Sequence, residues 1–151
     1  YCGSSPWDAP ATLMLITQVE LDGVWSVKGG MHALAQSRPV ACSHGQQLRD
    51  YVHVSDVASA LVHLLLQTQT KGVFNIGSGQ ATRLMDMVNI CSQAFDSTSP
   101  VQFGAIKVSA DEPPLILANT TKLQASGWNP EVSLQAGLAA YAEFVRRSVA
   151  C

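Results

Sequence analysis

The residues best suited to chemistry lie in Arg49-Asp-Tyr-Val-His-Val-Ser-Asp56. A guanidinium presents a planar fork of N–H donors that can hold two phosphate oxygens at once, which a compact ammonium cannot do. Arg49 stands where a short alternating segment begins, just before a helix, and is a candidate phosphate contact. The competing reading is a structural ion pair with Asp50 or Asp56. His53 lies among valines and reads as a core or interface histidine, although an imidazole can titrate near neutrality. Gly77-Ser78-Gly79 reads as a tight turn. A dinucleotide fingerprint needs a third glycine where Thr82 stands, and an acidic residue at a strand end about 20 residues later. Asp111 and Glu112 are adjacent on extended chain and point in different directions, which does not suit paired acid/base chemistry. His32, His44 and His63 show no metal spacing. Cys2, Cys42, Cys91 and Cys151 lack the close pair typical of a zinc site. They read as free thiols, with a disulfide as the lesser alternative. No catalytic, cofactor-binding or metal-ligating residue is assigned.

The elements that must position these groups follow from periodicity. Tyr1 to Pro10 reads as loop, and Ala11 to Val19 as a helix or a buried strand. Val24 to Val27 alternates like a short strand. Gly29-Gly30 gives a turn before a helix over 31–36, and Arg38 to Cys42 is extended. Tyr51, His53 and Ser55 alternate with Val52 and Val54. Ser55 or Asp56 can cap a helix over Val57–Leu66, whose apolar face is Val57, Ala60, Leu61, Leu64 and Leu65. Val73 to Ile76 is the next strand. Thr82 can cap a helix reaching about Phe95. Val101 to Val108 reads as an edge strand interrupted by Gly104. The prolines at 113 and 114 mark a turn, and Leu115 to Leu117 form a last short strand. Thr120 or Thr121 opens a brief helix, and Ser133 caps a final helix over Leu134–Val145. Trp7, Trp25 and Trp128 are packing residues, Trp128 folding back onto the last helix. Interleaved strands and helices favour an α/β class: a small mixed or parallel sheet with flanking helices.

Composition narrows the function. The 151 residues are 47% apolar and only 13% charged, against about 25% charged for an ordinary domain. So few charges suggest a surface that faces something else: a missing domain, a partner subunit or the rest of a longer chain. Tyr1 is not an initiator Met, which fits a fragment or a processed product. The net charge of −2 and nine scattered Lys and Arg residues exclude a basic nucleic-acid stripe. No apolar run is long enough for a membrane span, and Tyr1 to Val19 lacks the basic start of a signal peptide. The sparse cysteines suit a reducing cytoplasm.

Residues from about 38 to 149 resemble the C-terminal part of the NAD-dependent epimerase/dehydratase family, the extended short-chain dehydrogenases that act on nucleotide sugars. The matching pieces are Gly45-Gln-Gln-Leu-Arg-Asp-Tyr-Val-His-Val-Ser-Asp-Val-Ala58, Gly72-Val-Phe-Asn-Ile-Gly-Ser-Gly79, Glu112-Pro-Pro-Leu-Ile-Leu-Ala118 and Gly127-Trp-Asn-Pro130. The resemblance implies a two-part enzyme. An N-terminal Rossmann domain binds NAD(P), and a smaller C-terminal region holds the nucleotide-diphosphate sugar. Arg49 matches the arginine that reaches the substrate's pyrophosphate. Asn75 lies in the matching strand–turn segment near the domain junction. The first 36 residues look more like FAD-dependent phytoene-desaturase or amine-oxidase proteins, on Tyr1-Cys-Gly-Ser-Ser-Pro-Trp-Asp-Ala-Pro10 and Gly23-Val-Trp-Ser-Val-Lys-Gly-Gly-Met-His-Ala-Leu34. The chain therefore divides into an arm of uncertain origin, 1–36, and an epimerase/dehydratase-like region, 37–151.

The departures bound the activity. The family's chemistry uses a Tyr-x-x-x-Lys pair, in which the lysine's charge lowers the phenol's pKa. Tyr1, Tyr51 and Tyr141 are followed four positions later by Ser5, Ser55 and Val145. The glycine-rich fingerprint is absent as well. Where many members carry a second arginine, this chain has Ser109. The expectation is the substrate-binding region of such an enzyme, without a complete Rossmann domain. It would use Arg49 and Asn75 toward a nucleotide sugar, bind no cofactor alone and have no turnover of its own. Two alternatives remain open: a non-catalytic structural or oligomerising module, which includes a homo-oligomer, and a flavoenzyme fragment.

Overall fold

The computed structural model describes residues 14–16, 27–67 and 71–149. In chain order the elements are β1 (Met14–Ile16), α1 (Val27–Ala35), β2 (Val40–Ala41), β3 (Leu48–His53), α2 (Val54–Leu66), β4 (Ala81–Arg83), α3 (Leu84–Ala94), β5 (Val101–Gln102), β6 (Leu115–Ile116), α4 (Thr121–Ala125) and α5 (Leu134–Val149). This is the mixed α/β arrangement that the interleaved pattern implies. The expected loop at 1–10, Cys2, Cys151, Trp7, Trp25 and residues 24–26 of the expected strand at 24–27 lie outside the described residues, and Val27 opens α1 instead of ending a strand.

β3 organises the larger sheet. β1 and β4 pair with it antiparallel, through Met14–Ile16 against Tyr51–His53 and Ala81–Arg83 against Leu48–Asp50. β6 pairs with it in parallel, Leu48 opposite Leu115 and Arg49 opposite Ile116. β2 and β5 form a separate parallel pair. The expected alternation along β3 gives way to four consecutive buried residues, Arg49 to Val52. α2 and α5 both contact this strand, and a strand covered on both faces loses its inside–outside period.

Several local expectations are corrected by packing. Gly29-Gly30 is helical rather than a turn, because α1 starts at Val27. Glycine inside a helix costs roughly 1 kcal/mol relative to alanine. Burial of Gly30, Met31 and Leu34 against the core overrides that cost. α2 begins at Val54, and its cap is His53, whose Nδ1 accepts from the Ser55 backbone N–H at 3.3 Å. Thr82 belongs to β4, leaving Arg83 as the N-cap of α3 without a side-chain bond. Val101–Val108 shrinks to the two residues of β5 before the chain turns. Ser133 performs as expected, accepting from the Ala136 N–H at 3.2 Å.

Val73–Ile76 is not a strand. Phe74 and Ile76 turn inward while Val73 is 83% exposed and Asn75 is also exposed, so the alternation is present. Among the described residues, no backbone N–H of this run donates to another backbone group. A ladder needs a neighbouring strand, and no strand among the described residues pairs with it.

Among the described residues, two cores hold the fold. The larger joins Met31, Leu34, Val40, Cys42, Tyr51, Leu84, Met87, Val88, Cys91 and Leu138. The smaller gathers Ala60, Leu123 and Trp128, with Leu64, Phe74 and Ile76 against them. Trp128 thus packs on α2 and α4 rather than on the last helix, and its Nε1 donates to Ser59 Oγ at 2.9 Å. α5 approaches β3 closely at Gly137, where a Cβ would stand 3.0 Å from the His53 ring.

Candidate functional site

Three acidic side chains around β3 and its neighbours set the local frame. Asp50 is buried and accepts from four donors: Ser78 N–H at 2.8 Å, Ser78 Oγ at 2.5 Å, Gly79 N–H at 3.1 Å and Ala118 N–H at 3.2 Å. One carboxylate therefore ties β3 to the 77–79 turn and to the chain after β6. The fit is tight, since a Cβ on Gly77 would stand 2.6 Å from both Asp50 Oδ2 and the Ala118 Cβ. Asp56, also buried, accepts from the Glu131 and Val132 N–H groups at 3.1 Å each and fixes the approach to α5. Glu112 belongs to the third arrangement.

Arg49 is 4% exposed. Its Nη1 donates to the Leu48 carbonyl at 2.8 Å and the Pro113 carbonyl at 2.9 Å, and its Nη2 donates to Glu112 Oε1. Both charged side chains are nearly sealed, at 5% and 3% exposure. An ion pair does form, but with Glu112 in place of Asp50 or Asp56, whose oxygens hold backbone donors. The carbonyl acceptors offset part of the cost of removing the guanidinium from water.

Beside this pair lies an open cleft of about 550 Å³. One wall is His44, Gln46 and Gln47 from the loop before β3. The other is Gly104, Ile106, Lys107, Val108 and Ser109 from the chain after β5, and Glu112 and Pro114 close the end. Main-chain bonds lock the walls together: Gly104 N–H to the Ser43 carbonyl and Ile106 N–H to the Cys42 carbonyl, both 3.0 Å. Met85 N–H to the Gly45 carbonyl at 2.9 Å fixes the first wall to α3. His44 Nδ1 accepts from the Gln46 N–H at 3.1 Å, which leaves Nε2–H as the ring's donor. Arg49 does not line the cleft and reaches it only through Glu112.

Asn75 is not brought to the cleft. It is exposed, and its Nδ2 donates to the Asn119 carbonyl at 3.3 Å. His53 meets Ser55 Oγ at 2.6 Å as part of the helix cap. His63 Nε2 bonds the Ser126 carbonyl at 3.0 Å. Burial pushes the Cys42 thiol up to about 11 and the Cys91 thiol up to about 12. Tyr51 is raised too, by burial against the lowering pull of Arg49. Among the described residues, no three His, Cys, Asp or Glu side chains cluster for a metal, and no helix is long and apolar enough to cross a membrane.

The Gly77–Gly79 turn does not fit a dinucleotide. A phosphate-cradling turn needs free N–H groups, and those of Ser78 and Gly79 already serve Asp50.

Sequence reasoning missed the cleft because two irregular segments build it. His44 to Gln47 reads only as polar loop, and Lys107 falls in what reads as an edge strand. The one available signal was Glu112 before two prolines, an acid held at a fixed point within reach of a cation.

Comparison with known proteins finds likenesses of unequal extent. Residues 28–77 match the model of the NAD dependent epimerase/dehydratase family. The chain is 34% identical over 100 residues to the ADP-L-glycero-D-manno-heptose-6-epimerase of Pseudomonas paraeruginosa, covering 66% of this chain and 23% of that protein. A stretch of 37 residues is 76% identical to the hydroxyneurosporene desaturase of Rubrivivax gelatinosus, covering 24% of this chain and 7% of the desaturase. The fold is similar to the UDP-glucose 4-epimerase of Thermotoga maritima, solved with UDP-glucose. The TM-score is 0.71 at 24% identity, over 80% of this chain and 38% of that one. The chain thus spans well under half the length of each of these proteins.

Proposed function

We propose that this chain, whose residues 38–149 make up the C-terminal part of a member of the NAD-dependent epimerase/dehydratase family, is the nucleotide-sugar-binding portion of an NAD(P)-dependent epimerase, dehydratase or reductase. The observation that carries the reading is the cleft between the 44–47 and 104–109 segments, closed by Glu112 with Arg49 behind it. It has room for a nucleotide, and its walls are fixed to the sheet.

In this reading the diphosphate lies toward Arg49, which contacts it when Glu112 yields. Asn75 sits on the 73–76 run, whose N–H groups donate to no other backbone group among the described residues, and serves the junction with the rest of the enzyme. NAD(P) belongs to that other part, a Rossmann domain or another subunit, because the N–H groups of the Gly77–Gly79 turn are occupied by Asp50. Residues 1–36 are an N-terminal arm set apart from the epimerase/dehydratase-like region 37–151, either joined to it from another protein or diverged from the family. The setting is cytoplasmic, and the isolated chain has no turnover.

Calorimetric titration of the full chain with UDP-glucose, ADP-ribose and NAD+ tests the reading. A nucleotide sugar should bind and NAD+ should not. Conversion of a nucleotide sugar by the isolated chain would overturn it, as would an absence of nucleotide binding.

A second reading is favoured by one surface. Leu61, Val62, Leu65 and Leu66 on α2 are 51%, 54%, 83% and 76% exposed. A contiguous apolar face of this kind marks an interaction site. The chain could then be a non-catalytic oligomerising module, and nucleoside diphosphate binding that is lost in Arg49→Ala would count against it.

A further inference from the structure

Charge in the cleft is unevenly available. Glu112 lines it, but one of its oxygens is joined to Arg49, and both side chains are nearly sealed. In the resting fold the Arg49 charge is therefore compensated before any ligand arrives. Lys107 is the one Lys or Arg among the residues lining the cleft. Among the described residues it makes no ion pair, and no carbonyl holds its ammonium, in contrast to Lys122, whose Nζ donates to the Lys71 and Val73 carbonyls. Its backbone follows Ile106, whose N–H is fixed to Cys42, so its stem starts from an anchored point. Across the cleft, His44 presents a second donor.

We propose that Lys107 is the phosphate-binding cation of this cleft, with His44 opposite it, and that it gives the cleft its preference for a diphosphate over an uncharged nucleoside. The proposal rests on the nucleotide-binding reading above. An uncompensated ammonium attracts a dianionic group from solution, and a neutralised guanidinium does not. Lys107 makes the first contact, and Arg49 becomes available only after Glu112 has been displaced. Ser109, at the position where the family resemblance implies a second arginine, carries no charge, so the cation comes from two positions earlier.

The test compares UDP, ADP and GDP with uridine, adenosine and guanosine by calorimetric titration of the full chain, Lys107→Ala, Lys107→Arg and His44→Ala. Lys107 is exposed, so its variants should keep the wild-type melting curve. The wild type should bind at least one diphosphate more tightly than its nucleoside, with an advantage that shrinks as salt rises. Lys107→Ala should lose about tenfold in diphosphate affinity, the scale of one charge-assisted hydrogen bond, and leave nucleoside affinity unchanged. Lys107→Arg should keep most of the diphosphate affinity. Diphosphate binding in Lys107→Ala equal to wild type would overturn the assignment while leaving the nucleotide-binding reading intact. If neither diphosphate nor nucleoside binds the wild type, both fail.

Discussion

Arg49 and Glu112 lie 63 positions apart in sequence and meet as an ion pair from which water is almost excluded. Removing one partner strands the other charge in a poorly solvated site. Arg49→Ala and Glu112→Ala should each destabilise by about 3–5 kcal/mol, whereas replacing both with apolar residues, as in Arg49→Met/Glu112→Leu, should cost far less. Urea denaturation of the two singles and the double provides the cycle. Additive losses would show that the two charges are not coupled.

Asp50→Ala should be among the most damaging single changes. It leaves the Ser78, Gly79 and Ala118 N–H groups without their acceptor, at about 1–3 kcal/mol for each donor that stays buried. Hydrogen exchange should accelerate at these three amides more than within α3. Uniform acceleration across the chain would argue against a local anchoring role.

Stability should fall at alkaline pH. Burial raises Cys42 from 9.0 to about 11 and Cys91 from 9.0 to about 12. Below about pH 7.5 both the folded and unfolded chains hold these protons, and the thiols contribute almost no slope. As pH rises from the unfolded value toward the folded ones, the unfolded chain releases protons that the fold retains. The unfolded state then binds fewer protons, and the stability present at neutral pH is progressively lost. Denaturation midpoints at about pH 8, 9, 10 and 11 should decline, and Cys91→Ala should flatten part of the decline. A thiol reagent should react slowly with the native protein at neutral pH. Prompt reaction of Cys91 would contradict its burial.

The outer face of α2 should govern self-association. Leu65→Glu/Leu66→Gln replaces two strongly exposed leucines and should shift light-scattering mass toward monomer with a melting temperature close to wild type. A mass unchanged from an associated wild type would place the interface elsewhere.

What was legible in the sequence was local. The β3–α2 switch follows from short-range alternation and from apolar residues three and four apart, and Ser133 caps α5 through a bond to Ala136, three positions on. Other features depend on partners that no local window contains. Gly29-Gly30 reads as a turn because its helix is fixed by burial of Gly30 in the core. Val73–Ile76 has a strand's alternation without a neighbour to pair with. Asp50 and Asp56, the carboxylates nearest Arg49 in sequence, each serve distant amides. Lys107 carries no signal until the loop at 44–47 stands opposite it.

The stitching by Asp50 bears on how quickly the chain can assemble. Its acceptors join positions 28 and 68 residues away in sequence, so this polar knot cannot form until two long loops have closed. Contacts of such separation slow a folding reaction in proportion to the chain entropy they consume. The turn at 77–79 should therefore acquire its protection late, together with the segment after β6, while α3 and α5 gain theirs early.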